Sequence, residues 1–153
     1  MMRDCRDVIV SKYFFEKDFC VQNDIVKEFN SSFDDFVSKT ADEWAAFVRE
    51  WKRANVLTVH YEHLLHNPFA EMKSVLKTLG FSIEDEAVST AIRKNTKDAM
   101  KASLDRAFKH NTFVRKGIKG DWKNHFSARH KEMVKKYAGS ELIDAGYEEN
   151  NDW

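Results

Sequence analysis

Apolar residues along this chain return mostly with helical spacing, and in one place they run together as in a strand. Trp44, Phe47, Val48 and Trp51 fall at i, i+3, i+4 and i+7, one stripe on a helix over residues 41–54. Phe69, Met72, Val75, Leu76 and Leu79 repeat that pattern behind Asn67-Pro68, a capping residue followed by a proline suited to the first helical position. Gly80 ends the run. Ala87, Val88, Ala91 and Ile92 form a third stripe on residues 83–94, with Ser82 as the cap. Residues 7–19 and 31–39 also predict helices, the second capped by Ser31 or Ser32, and Ser127 opens a last one reaching about Tyr137. Residues 95–108 read as helical at most in part. Residues 113–126, holding Gly117 and Gly120 and no clean period, read as a loop.

The exception is Val56-Leu57-Thr58-Val59-His60-Tyr61, short, β-branched and placed after a helix. It predicts a buried parallel strand. The helix–strand–helix order then gives an α/β class, mostly helical with one parallel strand. A sheet of one strand is incomplete, so the pattern also predicts a fragment of a larger sheet.

Composition narrows the function. The 153 residues suffice for one domain with a core. Lys+Arg and Asp+Glu both count 25, and a formal net charge of zero gives no general attraction to nucleic acid or anionic membrane. No apolar run approaches the roughly 18–20 residues of a membrane span. Twelve Phe, four Trp and four Tyr favour packing over disorder, although the mean hydropathy is −0.61. Cys5 and Cys20 make no metal-type spacing and predict buried or free thiols in a reducing compartment; with a charged start that carries no signal-peptide core, the expected location is the cytoplasm. Residues 148–153, acidic and polar, are expected to fray.

Candidate chemistry sits mainly in the loop, which reads Phe113-Val114-Arg115-Lys116-Gly117-Ile118-Lys119-Gly120-Asp121-Trp122-Lys123-Asn124-His125-Phe126. Arg115 offers a forked guanidinium, Lys116 a point ammonium, and Gly117 a backbone that a phosphate can approach closely. An isolated Arg-Lys-Gly is more often a solvated basic turn. The longer string is more specific: Arg-Lys-Gly-x-x-Gly-Asp-Trp-Lys-Asn-x-Phe resembles the C-terminal signature of the sulfotransferases that use 3′-phosphoadenosine 5′-phosphosulfate. The resemblance implies that Arg115, Lys116 and Gly117 bind the donor's 3′-phosphate.

Three further segments resemble that family in the same order. Arg3-Asp4-Cys5-Arg6-Asp7-Val8-Ile9-Val10-Ser11-Lys12-Tyr13 is similar to its Arg-Asn-Pro-(Lys/Arg)-Asp-x-x-x-Ser-x-Tyr segment, which implies 3′-phosphate contacts from Arg3 and Ser11. Tyr61, in the segment Val59-His60-Tyr61-Glu62-His63-Leu64, stands where the family tyrosine reaches the adenine. A buried tyrosine at a strand end is otherwise commonly structural. Asn95-Thr96-Lys97-Asp98-Ala99-Met100-Lys101 aligns with a stretch that closes over the adenine, which makes Thr96 a candidate polar contact. Lys97 replaces the stacking phenylalanine there, so Lys97→Phe is expected to tighten nucleotide binding.

The resemblance implies a partial P-loop-type sulfotransferase fold over residues 1–153, the C-terminal portion of a single domain. The cofactor it implies is 3′-phosphoadenosine 5′-phosphosulfate, or adenosine 3′,5′-bisphosphate after transfer, with no metal. It further implies a Pro-Lys-Ser-Gly-Thr-Thr loop and a catalytic histidine, neither of which is found here; the one proline is Pro68. His60, His63 and His66 are evenly spaced but suggest no fourth metal ligand. No histidine is assigned as a base, and the chain alone is expected to be inactive. Two functions follow: a sulfotransferase fragment, with an unknown small-molecule acceptor, or a non-catalytic nucleotide- or partner-binding remnant. The partner would be a separately encoded N-terminal half or a second copy, since Lys123-x-x-x-Ser127-Ala128-x-x-x-Glu132 resembles a dimer contact of cytosolic members. A Ser-capped helix start accounts for that string as well.

Overall fold

Helices account for nearly all the regular structure in the computed structural model, which describes residues 1–153. They are α1 (Cys5–Phe14), α2 (Phe33–Arg53), α3 (Tyr61–His66), α4 (Pro68–Thr78), α5 (Asp85–Lys94), α6 (Lys97–Ala107) and α7 (Ala128–Asp144). A π-helical segment, Phe15–Cys20, continues α1, and a 3-10 turn, Asp121–Asn124, precedes α7. The chain forms two compact units: Met1–Arg3 with Thr58–Ile118, and Asp4–Leu57 with Lys119–Trp153.

The expected parallel strand is absent, and with it the α/β, P-loop-type class. Residues 56–59 form no regular structure, and the one β pairing beside them is an isolated parallel bridge between Met2 and His60. The Met2 N–H donates to the Val59 carbonyl at 2.7 Å, and the Tyr61 N–H to the Met2 carbonyl at 2.8 Å. Tyr61 then enters α3, so pairing stops after one residue. β-Branched composition favours a strand where a neighbouring strand and a covered face exist. Val56 and Leu57 instead stand exposed.

In the second unit, α2 supplies the core. Residues 31–39 and 41–54, expected as two helices, form one continuous helix opened by Ser32, whose hydroxyl accepts from the Asp35 N–H at 3.1 Å. Its buried stripe is Phe36, Val37, Thr40, Ala41, Trp44, Ala45 and Val48, and it packs chiefly on α7. Phe47 and Trp51, expected inward, are exposed and touch each other, because the two alanines turn the packed face away from them. Arg49 to Glu141 and Lys52 to Asp144, both 2.7 Å, tie the end of α2 to α7.

The smaller unit buries less. α4 begins as expected, with the Asn67 side chain accepting from the Ala70 N–H at 3.1 Å and Pro68 in the first turn. Its apolar face is only half-buried, and Leu79 is exposed. Lys73 crosses from α4 to α5, donating to the Ile83 carbonyl at 2.9 Å and pairing with Asp85 at 2.7 Å. α6 is a full helix of eleven residues capped by Thr96, more regular than the sequence suggests.

Candidate anion-binding loop

Gly117 adopts φ +59°, in the left-handed region that favours glycine, and the loop turns there. A Cβ at this position would meet only ordinary neighbours, Lys97 Cδ at 3.6 Å and the Tyr61 hydroxyl at 3.8 Å. Conformation, rather than lack of room, therefore selects glycine.

Two cationic side chains grip the backbone on either side of that turn. Lys97 Nζ donates to the Lys116 carbonyl at 2.5 Å. Arg3 Nη2 donates to the Ile118 carbonyl at 3.4 Å, while its guanidinium carbon lies 4.6 Å from the centre of the Tyr61 ring. That distance suits a cation–π contact. The helix termini supply the positions: Tyr61 is the first residue of α3, fixed by its bond to Met2, and Lys97 is the first of α6.

Of the residues singled out from sequence, these contacts bring together Arg3, Tyr61, Lys116 and Gly117. Arg115 is next along the loop, half-buried, its N–H donating to the Phe113 carbonyl at 3.1 Å. Thr96 lies beside Lys97, but its hydroxyl is occupied as the α6 cap, accepting from the Ala99 N–H at 3.2 Å. Ser11 lies in the other unit, half-buried on α1. His60 precedes Tyr61; burial and then the charge of His63, its ring stacked at 5.1 Å, hold it below the ordinary imidazole value.

Sequence reasoning missed three roles. Lys97 is a loop ligand, which no residue pattern signals because the acceptor is a backbone carbonyl. Asp7, buried in the second unit, accepts from the Gly120 N–H at 2.6 Å and the Trp122 N–H at 3.0 Å. Its signal was available, since an acid stood inside one resembling segment and the Gly-Asp-Trp string inside another. Arg6 is the third. It is buried between Trp122 and Trp153, its guanidinium carbon 4.3 and 4.4 Å from the two ring centres, and hydrogen-bonds Asp4 and Glu148.

A glycine turn flanked by arginine and lysine and held by two further cations has the character of a phosphate-type anion site. A model of the sulfotransferase domain matches residues 1–146, and the chain belongs to this family. Human sulfotransferase 2A1 is 27% identical over 159 residues, covering 94% of this chain and 55% of its own length. Bovine sulfotransferase 1E1 is 31% identical over 147 residues, covering 83% and 48%. The chain thus spans about half the length of the curated relatives it matches. A crystal structure of mouse sulfotransferase SULT7A1 complexed with PAP shares the fold, with TM-score 0.73 and 20% identity over 95% of this chain and 57% of that one. No helix here is long and apolar enough to cross a membrane.

Proposed function

We propose that this chain binds the 3′-phosphate end of 3′-phosphoadenosine 5′-phosphosulfate, or adenosine 3′,5′-bisphosphate itself, without transferring the sulfuryl group. The observation that carries this reading is the Gly117 turn, placed directly after Arg115 and Lys116 and bracketed by Arg3 and Lys97. Such a turn combines a forked donor, an ammonium and a backbone N–H, the donor set a phosphate needs. The PAP in the mouse structure of like fold supports the same nucleotide class. Binding without transfer is favoured because the chain carries no β-strand, so no strand-to-helix phosphate cradle stands beside this loop.

The test is a titration of the purified chain with adenosine 3′,5′-bisphosphate, followed by a transfer assay with the sulfated donor and simple phenols. Binding should weaken with salt, and Arg115→Ala should cost about 1.5–3 kcal/mol, the worth of a hydrogen bond to a charged group. Equal titrations for the two proteins would remove the assignment. Sustained turnover by the chain alone would overturn the non-catalytic part.

A further inference from the structure

We propose that Lys97 is a positioning residue that aims the Gly117 N–H at the bound anion. This rests on the anion-binding reading above for its ligand, but not for its geometry. The Lys97 ammonium takes the Lys116 carbonyl, and its stem lies along Gly117, Cδ and Cε falling 3.6 and 3.8 Å from where a Cβ would stand. All peptide bonds in the chain are trans. In a trans peptide the carbonyl oxygen and the following N–H point in opposite directions. Holding the Lys116 oxygen toward Lys97 therefore turns the Gly117 N–H away from it.

Gly117 is an exposed residue, and its N–H finds no acceptor within the chain. Arg3 holds the Ile118 carbonyl one residue beyond the turn, so the backbone is tied on both sides of Gly117, while its N–H is left available. Without the Lys97 bond, the peptide between residues 116 and 117 can rotate, and the donor loses its aim. Preorganised donors of this kind bind anions better than donors that must first be ordered.

The sign for Lys97→Phe is thus the reverse of that expected from stacking: a phenyl ring cannot hold the carbonyl, and binding should weaken. The experiment follows the Gly117 amide resonance by ¹⁵N NMR in wild type, Lys97→Met, Lys97→Phe and Lys97→Arg, with and without adenosine 3′,5′-bisphosphate. Lys97→Met should displace that resonance in the free protein and weaken binding about tenfold, the scale of one charge-assisted bond. Lys97→Arg, which can still donate to the carbonyl, should restore both. An unmoved Gly117 resonance in free Lys97→Met overturns the proposal, as does tighter binding by Lys97→Phe. Failure of the wild type to bind nucleotide would sink the anion-binding reading instead, while the free-protein resonances still decide the role of Lys97.

Discussion

Asp7 and Trp122 lie 115 positions apart in the chain and are joined by a buried hydrogen bond of 3.0 Å from the Trp122 N–H to the Asp7 carboxylate. The other carboxylate oxygen accepts from Gly120 at 2.6 Å, and the side chain is 1% exposed. One acid on α1 thus satisfies two N–H groups where the chain leaves a left-handed glycine, at φ +80°, and enters the 3-10 turn. Bonds to a charged acceptor are each worth roughly 1.5–3 kcal/mol. Asp7→Ala should therefore destabilise the protein by about 3 kcal/mol or more in urea unfolding, and Asp7→Asn, which keeps one acceptor oxygen, by less. Equal losses for the two variants would show that the one N–H bond the asparagine retains contributes nothing.

Arg6 gives a larger effect with a different signature. Its guanidinium is bidentate on Asp4, at 2.9 and 2.7 Å, bonds Glu148, and packs against two indoles. Asp4 is 4% exposed, so removing the arginine leaves a buried charge without its counterion. Breaking a buried pair from one side costs about 3–5 kcal/mol. Arg6→Met should lose that much. Trp153→Ala should lose less and should be strongly non-additive with it, because both remove the same contact. Simple additivity in the double variant would contradict the shared-contact account.

Which features were readable follows from what each depended on. Asn67-Pro68 and Ser127 named their helix starts correctly, since caps are local chemistry. The strand at residues 56–61 was misread, because a strand requires a neighbour and only Met2 meets this one. The stripe on α2 was placed half a face away: Ala41 and Ala45 pack inside, and alanines carry almost no weight in a pattern of large apolar residues. At the loop, Arg115, Lys116 and Gly117 were legible as a string of residue types. Their bracing by Arg3 and Lys97 was not, since both side chains bind carbonyls that every residue possesses.

The smaller unit should carry a pH dependence traceable to His60. Burial opposes the imidazolium, and the neighbouring His63 adds to that when charged, against a weaker pull from Glu62 and Glu71. The folded value therefore lies below the ordinary 6.5. Between the two values the unfolded chain binds more protons than the folded one, so acid favours unfolding there. The contribution of His60 is fully present above pH 6.5 and is lost as pH falls through the folded value. His60→Gln should flatten the stability profile below pH 6.5 relative to wild type, while the profiles above it run parallel; subtracting the two removes groups that titrate in both. Proton NMR of the His60 ring gives the direct check. A titration midpoint at or above 6.5 would mean that the imidazole is solvated, and that the bridge between Met2 and His60 leaves its side chain in water.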